Sequence, residues 1–488
     1  MNKNRGDKNQ DKDIRNKQII DNISLDIKMT DNNSQDKSLT KNSLESLLAL
    51  RSDDQGKKKD SIPFRMKFIQ ELLRGKTLKP LIDFDRDDTE YFKHGTCNDN
   101  ENMTEFEDDT GSNDTRHTLH KRVDNFYNII TELGGKLHYI KSGTTGHTFK
   151  AVIQCDPNNP DDVFEYAVKV VAYPKKSKYG KIYDSSRPEN AEIMMLRLLS
   201  YFIVHKQTPH IVLPIATFNT DIKPFLSLLE DNVVDEDDKK YLSFLTKYKE
   251  GEFHDQVSIL LNEWANRGDL LDYIRKNFKR IKLIHWKIFF FQIISTMAVI
   301  QSKFPAFRHN DLKANNILLH KISRNKPRFT YTVLRKKYII PNLGYSVKLW
   351  DFDFSCIPDV IHNIKVELPW TKPINVQPIK HQYYDIHYFF NTLAFAGFFP
   401  RFMSSNYIHD DVKEFVKRVI PAKYRSKLCT HKLPPATKNE KEEQCPICHN
   451  MVHSKGRLLV DDEYITPAKL LSDPFFEEFV EKKINKSL

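Results

Sequence analysis

No uninterrupted apolar run of about 18 residues occurs in the 488-residue sequence, so no membrane span is expected. The opening residues, MNKNRGDKNQDKD, lack the apolar core of a secretory signal. Cysteine is scarce: six residues, none near the start, do not form the dense disulfide framework of a small secreted domain. A reducing compartment is expected. There is no long lysine or arginine run either. The net charge of +11 arises from 76 basic residues interspersed with 65 acidic ones, which reads as a solvated surface rather than a nucleic-acid-binding tail. Internal repeats are absent, which argues against a solenoid.

What is present is an aromatic-rich chain. Hydrophobic residues make up 39%, with 32 Phe and 20 Tyr, enough for a sizeable core. The length suggests roughly two to four structural units. Residues 1–61 are rich in Asn, Asp, Lys, Gln and Ser and bury too little apolar surface to offset their ordering entropy, so they read as disordered, with a short helix at Leu44–Leu50. The apolar spacing of Ile62–Leu73 predicts a packed helix, and Cys97–Thr115 an acidic loop; residues 62–120 thus read as an N-terminal extension. Apolar runs at Phe126–Ile130 and Leu137–Ile140 precede a glycine turn. Thr148–Cys155 and Val163–Val171 read as strands, Glu192–His205 as a helix, Val257–Leu261 as a short strand and Ile281–Phe304 as a long buried helix. Strands first and helices later predict an α+β protein with a small sheet-rich part and a larger helical part.

Several local patterns carry chemistry. In KSGTTGHTFK, Gly143 and Gly146 let the backbone approach phosphates. Lys169 stands in the apolar strand YAVKVV, where an amine needs a partner; Glu192, 23 residues on, is the candidate. VSILLNEWA followed by NRGDL offers backbone groups to a flat base edge, and Asp269 could accept from a ribose hydroxyl. FRHNDLKANNILLH and VKLWDFDFS are acidic loops fused to apolar strands. Asn316 and Asp351 are hard oxygen ligands suited to Mg²⁺ on phosphate, and Asp311 could take a proton from an attacking hydroxyl.

In this order and spacing the motifs resemble those of the protein kinases, over about Leu137 to Phe479. DFDFS and YYDIHYFF, the latter at Tyr383–Phe390, are similar to the poxvirus-type serine/threonine kinases associated with virion assembly, and the Asn/Lys-rich linkers suit a mimivirus-like relative. The resemblance implies a bilobal fold with residues 121–265 as small lobe and hinge and 266–482 as large lobe. It implies ATP and Mg²⁺ as cofactors. Gly143 and Gly146 would cover the phosphates, and Lys169 would contact them while pairing with Glu192. Asn262 falls at the gatekeeper position, with Glu263 to Ala265 at the adenine hinge. Asp269 would lie near the ribose, and Leu318 and Ala167 would sandwich the base. Asp311 would be the catalytic base, Lys313 a γ-phosphate contact, Asn316 and Asp351 the Mg²⁺ ligands, and Asp385 a brace for the loop. Protein substrates, among them virion proteins, are the implied partners, with no specific nucleic acid. The host cytoplasm and the virion are the implied locations.

The departures from the family pattern are specific. Lys141 replaces the first loop glycine, Asp353 replaces the glycine of DFG, and no APE motif follows. Asn310 replaces the arginine of HRD, so activity without activation-loop phosphorylation is expected. Two other functions stay open on sequence: a small-molecule kinase of the aminoglycoside or choline type, which Asp353 matches, and a pseudokinase scaffold. A last pattern lies in an insert at 429–453. Cys429, His431 (or His449 or His453), Cys445 and Cys448 have the spacing of a structural zinc site, and free thiols in a surface insert are the alternative.

Overall fold

The computed structural model describes residues 61–82, 84, 119, 121–143, 145–155, 158–159, 162–425 and 451–482. Helix α1 (Ile62–Leu73) begins where the Ser61 side chain accepts from the Phe64 N–H and a proline occupies the first turn. Its Phe68, Ile69, Leu72 and Leu73 are buried in the main core, so the extension packs on the rest of the molecule from its first helix. Helix α2 (Phe126–Leu133) is capped by Asn125 and closed by Gly134 at φ 84°.

Five antiparallel strands follow, β1 (Lys136–Ser142), β2 (Gly146–Gln154), β3 (Val163–Pro174), β4 (Pro214–Asp221) and β5 (Phe253–Glu263), in the order β1-β2-β3-β5-β4. β5 runs beyond the five residues expected, because its polar start pairs with the far end of β3, Phe253 opposite Pro174. Gly146 is glycine for a packing reason. A methyl group there would sit 1.8 Å from the Val170 carbonyl oxygen, inside the β2–β3 pairing. At Gly143 the same methyl would meet only the Gly146 oxygen, at 3.5 Å.

Helix α3 (Pro188–Val204) lies between β3 and β4. It starts four residues before the expected Glu192. Pro188 supplies a helix-ready φ at the first position, and Glu192 therefore sits one turn inside. Helix α4 (Lys239–Lys249), between β4 and β5, is not evident in the sequence pattern. It lays Phe244 edge-on against His147, ring centroids 4.5 Å apart, beside the glycine turn.

The second part is mainly helical: α5 (Leu270–Asn277), α6 (Leu283–Lys303), α7 (Tyr384–Ala394), α8 (Asp410–Val419) and α9 (Pro467–Leu470), with antiparallel pairs β6 (Ile317–Lys321) with β9 (Tyr345–Leu349) and β7 (Arg328–Val333) with β8 (Lys336–Pro341). By length and composition α6 could cross a membrane, with mean hydropathy 1.6, but 78% of that stretch is buried inside the protein. It packs against α3, α8, α9 and β9. Each fully buried Phe of this helix contributes about 2–3 kcal/mol, and Phe290 and Phe291 are fully buried. One continuous hydrophobic core runs from α1 to Phe479. The architecture is thus mixed helix and sheet, with the sheet-rich region N-terminal.

Candidate active site

The site forms where the end of β5, the middle of β3 and the loops flanking β6 and β9 meet. On β3, side chains alternate, and Lys169 points away from the flanking Val168 and Val170, which are fully buried or nearly so. Its Nζ donates to Glu192 on α3 at 2.6 and 2.8 Å and to Asp351 Oδ1 at 3.2 Å. Burial alone would lower this ammonium; the carboxylates of Glu192, Asp351 and Asp353 outweigh burial and raise it. Burial pushes the Glu192 carboxyl up to about 7, and Lys169 offsets that only in part. With Lys365 paired to Asp353, two lysines face three carboxylates, an excess of acid that favours further cations.

The loop before β6 is held from below. Asp385, buried on α7, accepts from the His309 and Asn310 N–H groups, both at 2.8 Å. Burial raises the Asp385 carboxyl, with His309 and Arg308 pulling the other way. Asn310 has φ 61°, a left-handed conformation that Asn accepts more readily than most residues. Its side chain donates to the Phe354 carbonyl at 3.1 Å, tying the two acidic loops together. Asp351 is also left-handed, φ 65°, and Phe352 beside it is buried against the His309 ring at 4.9 Å.

Asp311 stands in a ring of donors. Its Oδ2 accepts from Lys313 Nζ at 2.7 Å and Asn316 Nδ2 at 3.0 Å. Its Oδ1 accepts from Arg457 Nη2 at 2.5 Å. With its amide nitrogen on Asp311, Asn316 has its oxygen available as a ligand. Asn316 and Asp351 are joined through the loops by the Trp350 N–H, which donates to the Asn316 carbonyl at 3.2 Å.

The strand end meant for a base edge differs from expectation in one respect. The Glu263 side chain turns to the back of the sheet. It takes Arg65 of α1 through Nε at 2.9 Å and Nη2 at 2.5 Å, Lys348 of β9 at 2.6 Å, and the Leu213 N–H at 2.8 Å. Burial would raise its carboxyl, but Arg65 and Lys348 hold it at about 2. Only its main chain is left for a ligand. Asn262, fully buried, has an amide oxygen with no partner, an orphaned acceptor beside that strand end. The Asp269 carboxylate caps α5, accepting from the Asp272 N–H at 2.9 Å. Ala167 of β3 pairs with Asn262 at the strand end, and Leu318 of β6 bridges to Asp269.

The Glu263 cluster gives a measurable result. Its folded-state value, about 2, lies below the ordinary 4.5. Its contribution, about 3 kcal/mol, is therefore present above pH 4.5 and lost as pH falls toward 2. Arg65→Ala is expected to cost about 3 kcal/mol at neutral pH and to flatten the acid limb of the stability curve, read by urea unfolding from neutral pH down to about 3. An unchanged slope would show that α1 does not hold Glu263 in solution.

Arg65, Lys348 and Arg457 are site-shaping residues that the motifs do not reveal. Among the described residues, no group of three or more His, Cys, Asp or Glu side chains could hold a metal ion. Cys429, His431, Cys445, Cys448 and His449 lie outside the described residues. Nothing in the structure therefore supports the zinc expectation. Cys155 and Cys356 are buried.

The sequence model of the poxvirus serine/threonine protein kinase family matches residues 175–433, which include Glu192, Asp311, Asn316, Asp351 and Asp385. A protein of Acanthamoeba polyphaga mimivirus assigned as a serine/threonine-protein kinase is 42% identical over 423 residues, covering 85% of this chain and 80% of the relative. With more than half of its length matched by that family and most of it aligned to a viral kinase, the chain belongs to the poxvirus serine/threonine protein kinases and is itself a serine/threonine protein kinase.

Proposed function

We propose that the chain transfers the γ-phosphate of Mg-ATP to serine and threonine hydroxyls of proteins, within a two-lobed kinase fold hinged at Glu263–Ala265. The observation that carries this reading is the joint placement of Lys169, Glu192 and Asp351 in one ion-pair cluster, tied through Asn310 to the loop bearing Asp311 and Asn316. The residues fit ATP and Mg²⁺ by their chemistry. The Glu192, Asp351 and Asp353 carboxylates outnumber the Lys169 and Lys365 ammoniums set among them. The Asn316 amide oxygen and Asp351 are hard donors, and the orphaned Asn262 oxygen would accept from an adenine amine. When bound, Mg²⁺ would neutralise charge on the transferring phosphoryl group. Lys169 would hold the α- and β-phosphates, and Lys313 would leave Asp311 for the γ-phosphate. Asp311 would then orient the acceptor hydroxyl and take its proton at Oδ2.

The second acid of DFDFS, which matches small-molecule kinases, is engaged: Asp353 Oδ2 accepts from Lys365 Nζ at 2.5 Å. That pairing favours protein over small-molecule substrates, and the presence of Lys169, Asp311, Asn316 and Asp351 together argues against a pseudokinase scaffold. Virion proteins as substrates, with the host cytoplasm and the particle as locations, belong to this proposal and rest on the resemblance of the DFDFS and YYDIHYFF motifs to virion-assembly kinases. The test is labelled-phosphate transfer from Mg-ATP to virion proteins, to choline and to aminoglycosides, with and without prior phosphatase treatment. Phosphoserine and phosphothreonine, formed equally after phosphatase treatment, are expected. Transfer only to the small molecules would overturn the protein-substrate reading, and loss of activity after phosphatase treatment the expectation of activity without loop phosphorylation.

A further inference from the structure

Asp311 Oδ1 is held by a residue 146 positions away in sequence, Arg457. Arg457 lies in a short hairpin, Met451 to Val460, closed by the Val452–Leu458 bridge and by the Leu459 N–H donating to the Met451 carbonyl at 2.8 Å. The hairpin is fastened to the floor of the site by buried polar contacts. Asn391 Nδ2 donates to the Gly456 carbonyl at 2.9 Å and Asn375 Nδ2 to the Leu458 carbonyl at 3.0 Å. His381 Nε2 lies 3.1 Å from the Val460 carbonyl, and Leu458 is fully buried. Gly456, at φ 89°, has no room for a methyl group, which would lie 2.9 Å from the Ala396 Cβ and 3.1 Å from Thr392. So many fixed points describe a built part of the site rather than a lid.

From this base the guanidinium forks. Nη1 donates to the Asn310 carbonyl and to the Tyr384 hydroxyl at 3.2 Å, Nη2 donates to Asp311, and the group lies over the Tyr388 ring at 4.3 Å. Lys313 and Asn316 both donate to Oδ2 and fill the positions that oxygen offers. An incoming hydroxyl must displace one. Lys313 is the most exposed of the side chains, at 22% against 9% for Arg457, and is the one free to swing.

We propose that Arg457 is a positioning residue for phosphoryl transfer. It pins Asp311 Oδ1, and with it the rotation of the carboxylate, so that Oδ2 faces the acceptor hydroxyl once Lys313 turns to phosphate. The Asn310 side chain carries no charge, and the cation on Asp311 Oδ1 comes from the distant hairpin. A planar fork reaches the Asn310 carbonyl and Asp311 through two different nitrogens in a fixed geometry, which the single point-charge ammonium of a lysine does not reproduce. The inference rests on the reading of Asp311 as catalytic base.

The test compares full-length wild type, Arg457→Met, Arg457→Lys, Asp311→Ala and the Asp311→Ala/Arg457→Met double variant in Mg-ATP kinetics on a protein substrate. Melting temperature and Mg-AMP-PNP binding report the fold. Loss of carboxylate alignment is expected to lower kcat of Arg457→Met about 10- to 100-fold with KM for ATP within about twofold. Arg457→Lys should be intermediate, and the double variant no slower than Asp311→Ala. An Arg457→Met kcat within about threefold of wild type, or above it, would overturn the proposal, the latter because Arg457 would then be blocking the base. So would a further loss in the double variant. If Arg457→Met binds no Mg-AMP-PNP, Arg457→Lys decides: a kcat about fivefold or more below wild type at unchanged melting temperature supports positioning, and a wild-type kcat overturns it. A fully active Asp311→Ala would instead sink the assignment of the base, a separate failure.

Discussion

Replacing Asp311 with alanine is expected to lower kcat by about 10²–10⁴ while leaving Mg-ATP affinity within a few-fold of wild type. The reasoning is geometric. The Asp311 side chain is held by Lys313, Asn316 and Arg457 rather than by Lys169 or Asp351. The nucleotide-facing cluster therefore survives the substitution, whereas the acceptor hydroxyl loses the group that orients it and takes its proton. The loop itself should hold, because its backbone hangs from Asp385 rather than from the Asp311 side chain. Single-turnover phosphorylation of a protein substrate, alongside nucleotide binding, measures both halves. Equal turnover in the two proteins would remove Asp311 from the chemistry.

The second large effect is expected at Lys169. Substitution by methionine leaves the buried Glu192 beside the half-buried Asp351 with their shared ammonium gone. Breaking a buried pair in this way costs about 3–5 kcal/mol. Activity should fall by about 10² or more, because the phosphate contact disappears with the charge. The two consequences can be separated. Burial already pushes Glu192 up to about 7 with Lys169 in place. Adding Glu192→Gln to Lys169→Met removes the stranded carboxylate and should restore much of the lost stability, read by urea unfolding, with no recovery of phosphoryl transfer. Recovery of activity in the double variant would mean that Lys169 serves only to neutralise Glu192.

The parts of the site legible in sequence are those in which neighbours along the chain act together. Asp311, Lys313 and Asn316 lie in one short loop, and a carboxylate, an amine and an amide crowded before an apolar strand are hard to explain without chemistry. Lys169 stood out because an amine in an apolar strand requires a partner, and Glu192 was close enough in sequence to be named. The start of α3 was misplaced because Glu192 was taken as its opening, although Pro188 is the stronger signal. Helix α4 was missed because KKYLSFLTKYK is polar on most of its surface and buries only Tyr241 and Phe244. Gly146 was read as a phosphate residue, whereas the pairing of β2 with β3 alone already forbids a side chain there. Arg65 and Arg457 were invisible for a different reason. Each is a single arginine in an unremarkable stretch, and its role exists only through a partner 198 or 146 residues away. Spacing rules describe one helix, strand or loop and cannot see such pairs.

The hairpin that carries Arg457 also bears on when the enzyme first becomes competent. A ribosome adding about 5–20 residues per second reaches Arg457 about 7–30 s after Asp311. By the end of that interval the loop, its apolar strand β6 and Asp385 are all made, and the Asp311 Oδ1 partner is the last to be added. The nascent protein can assemble its nucleotide-facing cluster early, yet the acceptor side is completed only when nearly the whole fold has been synthesised.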